Sequence, residues 1–553
     1  VSLQLRDDPP VAMVAGPAGW FSARVAAAVG MSYRFILPDG LAVPDPASRA
    51  QEDDVHGPSV VVDPAGYAWQ HTGWRNRPWH EAVIYELHAG ACGGFGGIAD
   101  RLDSLKALGI TAIELMPIAD FPGRYNWGYD GVLPYAPDRA YGTPEALKAL
   151  VDAAHGAGLM VLLDVVYNHF GPDGAYVHAY AREFFDADVH TPWGAAIDFK
   201  RPEVCAFFIE NALMWLNEYR FDGLRFDAVH AISPPAFLPQ LAAAIRAGAD
   251  RPVHLVLEHE GNKASLLHGK AAKLFDAQWA DDWHHCLHVL LTGETEGYYE
   301  SFQNPAEQLA RAMAQGFVFQ GEVSPHDGKR RGEPSADLPP TAFVICLQNH
   351  DQIGNRAIGE RLTALAHPAA LAAASALLLL SPNIPMLFMG EEWGSARPFL
   401  FFTDHNEDLA KLVREGRRRE FQSFAAFHDA ALPALIPDPN APSSFAASVP
   451  DPAERETPPH DAVLALHRHL LALRHAHVVP GIPGCRSAGA RALSAHAVQG
   501  SWRLGTGRLL TLVANFGATP VAFEAPPGKL IFASGIEGPE PALPPRAARA
   551  YLG

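Results

Sequence analysis

Between residues 82 and 390 the chain repeats one pattern, a short apolar run rich in β-branched residues followed by a longer stretch with helical spacing. The runs are AVIYELH (82–88), TAIELM (111–116), LMVLLDVVYNH (159–169), GLRFD (223–227), VHLVLE (253–258), LFDAQW (274–279), FVICLQNHD (343–351) and IPMLFMG (384–390). Between them, Ile98, Leu102, Leu105 and Leu108 fall on one helical face, and TPEALKALVDAAHGAG (143–158) and PEVCAFFIENALMWLNEYR (202–220) read as helices. Strands separated by helices pair in parallel, so eight such runs predict the α/β class and a closed (β/α)8 TIM barrel. A doubly wound open sheet is the alternative, but no Gly-rich phosphate loop follows the first strand.

A chain of 553 residues exceeds one ordinary domain. Residues 1–76 carry short strand-like pieces (VAMV, SYRFIL) and predict an N-terminal β-sandwich that is truncated and resembles carbohydrate-binding modules. Residues 77–485 hold the barrel, with a short inserted lobe at about 167–201, and residues 486–553, with RLLTLVANF and Pro/Gly turns, predict a small C-terminal β domain. HTGWRNRPWHEA (71–82) reads as a linker and DAVLALHRHLLALRHAH (461–477) as an amphipathic helix.

Composition narrows the partners. The formal net charge of −18 argues against nucleic acid and anionic membranes, which require positive surfaces. The run AALAAASALLLL (369–380) is shorter than the ~20 residues that cross a bilayer, so it predicts a buried helix. Five scattered cysteines without a C-x-x-C pair suit a reducing compartment, and VSLQLRDDPP carries neither a basic start nor an apolar run, so a cytoplasmic location is expected.

The chemistry lies at the strand ends. Side chains alternate across a strand, so in FDGLRFDAVHAI (221–232) Arg225 and Asp227 share one face while Leu224 and Phe226 take the other. LLDVVYNH contributes Asp164, Asn168 and His169, VHLVLEHE contributes Glu258 and Glu260, and CLQNHD contributes His350 and Asp351. In a barrel all these ends converge on one face. Singly, each has a plainer explanation: an Asp after a strand caps the next helix, Arg225 forms a structural ion pair with Asp164, and a lone His is a satisfied core residue. Together, carboxylates this close raise at least one another's pKa, which structure does not require. Without a nucleophilic Ser or Cys in evidence, carboxylates, imidazoles and an arginine point to glycoside chemistry, which needs one ionised and one protonated carboxyl group. Arg225 keeps Asp227 ionised as nucleophile, and crowding by negative charge suits Glu258 to be the acid.

DVVYNH, GLRFDAVHAI, LVLEHEGN and LQNHDQIGNR resemble, in order and spacing, the four signature regions of the α-amylase superfamily, glycoside hydrolase family 13. The resemblance implies that Asp227 is the nucleophile, Glu258 the general acid/base and Asp351 the group that grips sugar hydroxyls. It also implies that His169, Arg225 and His350 complete the −1 subsite and that Tyr129 of NWGYDG stacks on that sugar. Glu260 shares the face of Glu258, and motif position alone separates them.

FDAQWADDWHHCLHVLLTGETEGYY, PMLFMGEEWGSARPFLFFTDH and IPDPNAPSSF are similar to the maltooligosyltrehalose trehalohydrolase family within it. That similarity implies cleavage of the α-1,4 bond next to a terminal α,α-trehalose, with maltooligosyl trehalose, an α-glucan, as substrate. HAGACGGFGG (88–97) is shorter than that family's usual loop. Branching or debranching enzymes and plain α-amylases remain nearby alternatives, and a catalytically silent glucan-binding subunit is a distant one. On the leaving-group side, His230 is expected to reach the first glucose, and Asp281, Trp283, Glu392 and Trp393 to hold trehalose; helix capping and core packing are the competing roles for those four. Superfamily members bind calcium near the Asn of DVVYNH, which brings Asn168 and Asp173 into view as ligands. No oxygen-rich loop accompanies them, so neither a metal nor a cofactor is expected, and oligomeric state is left open.

Overall fold

The computed structural model describes residues 1–191, 194–267, 274–326, 328–421, 436–535 and 542–553. Its centre is a closed ring of eight parallel strands: β1 (Ile84–Leu87), β2 (Ala112–Leu115), β3 (Met160–Val165), β4 (Gly223–Phe226), β5 (His254–Leu257), β6 (Ala277–Trp279), β7 (Phe343–Cys346) and β8 (Ile384–Phe388). Each pairs with its neighbour in chain order, and β8 closes on β1 through Met386 opposite Ile84 and Phe388 opposite Glu86. Every run identified from alternation supplies one of these strands.

Strands buried on both faces read as nearly continuous apolar runs, which is how these segments are composed. The outward set, including Leu87, Ile113, Leu163, Leu224, Phe226 and Leu257, packs into the main core with the helices. The inward set includes Ile84, Ala112, Leu162, Val256, Ala277, Val344 and Met386, with Trp79 at the end from which the strands start. Advancing two residues along four of the inward rows changes their character. Ile84 is followed by Glu86, Ala112 by Glu114, Leu162 by Asp164, and Val256 by Glu258. The interior is therefore apolar at its amino end and charged at its carboxyl end.

The helix 143–158 appears as Pro144–Ala157, capped by the Thr143 side chain on the Ala146 N–H and ended by left-handed Gly158. One expectation needs correction. Ile98, Leu102, Leu105 and Leu108 are all buried, but they belong to two short helices, Gly94–Ala99 and Leu102–Leu108, with Asp100 and Arg101 between them. AALAAASALLLL forms the buried helix Pro368–Leu380. Among the described residues no helix is long and apolar enough to cross a membrane.

At the amino end of the chain a five-stranded sheet includes Ser2–Leu5, Ser32–Ile36 and Ser59–Val60. The hairpin Val14–Ala15/Phe21–Ser22 faces it across a hollow lined by Leu3, Leu5, Phe35 and Val61. The following segment is clamped to the barrel: Trp74 Nε1 donates to Asp222 Oδ1 at 2.7 Å, and Asn76 Nδ2 donates to the Asp222 and Pro252 carbonyls at 3.0 and 2.9 Å. Arg486–Ser494, Ala497–Arg503, Leu509–Asn515, Ala547–Leu552 and Lys529–Ala533 form a second five-stranded, antiparallel sheet.

Candidate active site

Arg225 is the hub of the charged end. It is 1% exposed, and its Nη1 donates to Asp164 Oδ2 at 2.7 Å and to Asp227 Oδ1 at 2.8 Å. Its Nη2 lies 2.8 Å from Glu258 Oε2. Its guanidinium carbon stacks 4.1 Å from the centre of the Trp279 ring, which adds cation–π attraction. One cation thus touches three carboxyl groups from three neighbouring strands.

The two carboxyl groups proposed from sequence to share the chemistry experience opposite fields. Burial alone would raise the pKa of Asp227, but the Arg225 charge, the amide of Asn168 (3.0 Å to Oδ2) and His169 outweigh it, and the group sits below the ordinary Asp value. Burial raises Glu258 well above the ordinary Glu value, and the negative charges of Asp227, Asp351 and Asp281 add to it against Arg225. Glu258 Oε2 accepts from the Ala228 N–H at 2.8 Å as well as from Arg225, so the proton belongs on Oε1. Ala228 adopts the left-handed conformation (φ 39°), which turns the chain sharply after β4. Glu260 is different: its side chain is 69% exposed and 3.7 Å from His230 Nε2, in open solvent. That separates Glu258 from Glu260 by environment.

Tyr129, Asp164, His350 and Glu86 form a second chain of contacts. Tyr129 Oη donates to Asp164 Oδ2 at 2.6 Å and therefore accepts from His350 Nε2 at 2.8 Å. His350 Nδ1 meets Glu86 Oε1, and its backbone N–H donates to Glu86 Oε2 at 3.0 Å. Both ring nitrogens act as donors, as an imidazolium requires. Burial opposes that charge, but Glu86 and Asp351 raise the His350 pKa above its usual value. The Tyr129 ring stacks on His350 at 5.1 Å. His169 Nε2 donates to the Tyr129 carbonyl at 3.0 Å.

Asp351 follows Asn349, whose side chain caps the short helix His350–Gly354, and Asp351 Oδ1 accepts from Asn355 Nδ2 at 2.6 Å. Asp281 is half-buried at the start of the helix Asp281–Thr292, and burial with the nearby Asp351 charge pushes its pKa up to about 7. His230 is exposed on the turn after β4.

Three expected sugar contacts lie elsewhere. Trp283 and Trp393 are 1% and 0% exposed. Trp393 Nε1 donates to Glu454 Oε2 at 3.0 Å and its ring carries Arg455 at 4.2 Å. Glu392 is 2% exposed and accepts from Tyr85 Oη and Arg455 Nη2. Trp393 and Glu392 are enclosed and already hold partners, and Trp283 is enclosed although its Nε1 has no hydrogen-bond partner; enclosed side chains offer no face to a ligand, so these three are core residues.

Sequence reasoning singled out neither Glu86 nor Glu114. Glu114 is 1% exposed, and burial, then Glu86 and Asp164, keep it protonated well above the usual Glu range. The signal was present in IYELH and AIELM, where an acid occupies the inward row as Arg225 does in GLRFD. Among the described residues no group of three His, Cys, Asp or Glu side chains is arranged to hold a metal ion. Asn168 gives its amide to Asp227, and Asp173 bonds His56 and Asn406.

An alpha-amylase catalytic-domain model matches residues 81–187, and a domain of unknown function, DUF3459, matches residues 485–549. A malto-oligosyltrehalose trehalohydrolase from Rhizobium sp. (strain M-11) is 38% identical over 96% of this chain and 92% of its own length. One from Deinococcus radiodurans is 42% identical over 80% of this chain and 74% of its own. The crystal structure of an alpha-amylase candidate from Salmonella typhimurium superposes with a TM-score of 0.94 at 45% identity, covering 100% of this chain and 95% of that one. Likeness of this extent, running through both flanking β regions as well as the barrel, shows that the chain belongs to the malto-oligosyltrehalose trehalohydrolase family.

Proposed function

We propose that this chain is a cytoplasmic, cofactor-independent retaining glycoside hydrolase that cleaves the α-1,4 bond beside the terminal α,α-trehalose of maltooligosyl trehalose, releasing trehalose and a maltooligosaccharide. Residues 77–485 form its catalytic unit, flanked by β units 1–76 and 486–553. The observation that carries this reading is Arg225, which holds Asp227 and Glu258 on one guanidinium while their surroundings push the two carboxyl pKa values in opposite directions.

Protonated Glu258 gives its proton to the glycosidic oxygen as Asp227 attacks the anomeric carbon, forming a glycosyl ester and freeing trehalose. Glu258, now a carboxylate, takes a proton from water, which attacks the same carbon and restores Asp227. Asp351 binds sugar hydroxyls and favours the distorted ring, Tyr129 stacks on the −1 sugar, and His169 and His350 complete that subsite. His230 and Asp281 face the leaving trehalose. Retention of configuration follows from two displacements at one carbon. Five buried, unpaired cysteines accord with a reducing compartment.

Incubation with maltohexaose and, in parallel, with its trehalose-ended analogue tests the reading. Free trehalose from the second substrate, at a rate well above hydrolysis of the first, is expected. Equal cleavage of both identifies a plain amylase, and chain transfer without hydrolysis identifies a branching enzyme. NMR of the first-formed maltooligosaccharide is expected to show the α-anomer.

A further inference from the structure

Beside His169 the structure contains a cavity of about 410 Å³, within the range of small-molecule sites (about 300–1,000 Å³). One wall comes from the loop after β3 (Asp173, Tyr176, His178), and another is His56, from the segment leading into the last strand of the N-terminal sheet. We propose that this cavity is a glucosyl subsite, shared between the N-terminal β region and the barrel, that holds the glucan chain of the substrate beyond the sugar at the cleavage point. The proposal rests on the hydrolytic reading above and extends it to the far end of the substrate.

Three features favour a sugar. The polar wall is held in place: Asp173 Oδ1 lies 3.2 Å from His56 Nε2, and Asp173 Oδ2 accepts from Asn406 Nδ2 at 2.9 Å. His56 Nδ1 and Tyr176 Oη are 2.7 Å apart, so the wall offers donors and acceptors for hydroxyl groups. The lining also includes ring surface, with His178 stacked on Phe185 at 3.7 Å, and a pyranose likewise has polar edges and C–H faces. An anionic ligand is disfavoured by Asp173.

The walls are also fixed in position. A Cβ on Gly171 would lie 2.0 Å from the Asp130 carbonyl oxygen, and one on Gly174 (φ +90°) would lie 2.5 Å from Val55 Cγ2. The loop is therefore seated directly on the Tyr129–Asp130 turn and on the N-terminal region, and only glycine permits either approach.

Direction follows from barrel order. β3, β4 and β5 run side by side and carry His169, Asp227 and Glu258 in that sequence. The acid protonates the leaving group, so trehalose departs towards the Glu258, His230 and Asp281 side. The glucan that stays on Asp227 extends the other way, past His169, into the cavity.

Steady-state kinetics of the full chain and of His56→Ala, Asp173→Ala and Tyr176→Phe, on glucosyl trehalose, which has no sugar beyond the one at the cleavage point, and on maltopentaosyl trehalose, test this. Losing one or two hydroxyl contacts is expected to lower kcat/KM for the long substrate about three- to tenfold. The short substrate is expected to stay within about twofold, with thermal midpoints unchanged for Tyr176→Phe, which keeps the ring. Equal losses on both lengths, or no loss on either, overturn the proposal, as does weakened trehalose inhibition with the long substrate unaffected. If the unaltered chain releases no trehalose from either substrate, the hydrolytic reading fails instead. Calorimetric titration of maltopentaose then decides the cavity alone: weaker binding by Asp173→Ala supports it, and unchanged binding overturns it.

Discussion

Arg225 commits both ends of its guanidinium to neighbouring acids, so its removal leaves buried carboxylates facing one another without a counter-ion. Breaking a buried pair costs about 3–5 kcal/mol, and Arg225→Met is expected to show that loss in guanidinium unfolding together with loss of turnover. Asp227→Asn and Glu258→Gln each are expected to cut kcat by about 10³-fold or more while substrate still binds, as stopped-assay rates and calorimetry can show. The pH profile has a definite sign. The proposed mechanism needs Asp227 ionised and Glu258 protonated, so kcat/KM is expected to fall on the acid side as Asp227 takes a proton and on the alkaline side as Glu258 loses one. Asp281→Asn removes a like charge beside Glu258, lowers its pKa and moves the alkaline limb to lower pH. An alkaline limb that stays in place would detach Asp281 from the acid. At this scale, sequence alternation was enough to put Arg225 and Asp227 on one face. It was not enough to distinguish Trp283 and Trp393 from sugar-stacking residues, because a tryptophan that fills a core and one that meets a sugar have the same composition around them.

Strands were the most legible elements. Each barrel run has its own local apolar pattern, and parallel pairing requires all of them to be buried, so neither depends on distant residues to be recognised. Elements made of short polar pieces were not legible: the strands of the hairpin Gln320–Val323/Arg330–Gly332 are four and three residues long and carry little apolar surface, yet Gly332 N–H to the Gly261 carbonyl (3.1 Å) and Arg331 Nε to the Glu260 carbonyl (2.9 Å) fasten it beside the loop after β5. The break between the helices Gly94–Ala99 and Leu102–Leu108 was hidden for a related reason, since all four apolar residues are buried in either arrangement. The corrected role of the enclosed tryptophans gives a test. Trp283→Ala and Trp393→Ala are each expected to lose about 3–5 kcal/mol of stability with KM for the trehalose-ended substrate nearly unchanged. A raised KM at unchanged stability would return them to the binding surface.

Across the whole molecule, buried imidazoles couple folding to acidity. Burial pushes His88 and His285 down to about 4 and His284 well below the usual histidine value. The unfolded chain protonates these rings near their ordinary pKa of about 6.5, whereas the folded chain resists. The contribution of these three rings to stability is therefore full above that value and falls as pH drops from about 6.5 towards 4, whereas the raised carboxyl groups of Glu114, Glu258 and Asp281 act in the opposite direction. In guanidinium unfolding at pH 7 and pH 5, His285→Gln is expected to lose less stability on acidification than the unaltered chain, because it removes one ring that the unfolded state protonates more readily. The general plan of a barrel between two β regions was readable from residue order alone. Its seams were not, because Trp74 on Asp222 and His56 on Asp173 join segments far apart in the chain, and nothing local marks either partner.

The barrel closes where β8 meets β1, and there Glu86 holds His350, 264 residues further along the chain. A nascent polypeptide that has emerged as far as Asp227 and Glu258 owns both reacting acids but lacks the imidazolium beneath its tyrosine platform. Under the proposed mechanism competence thus arrives late in synthesis, when the last staves of the ring are in place, and a chain truncated before His350 is expected to be inert towards glucan.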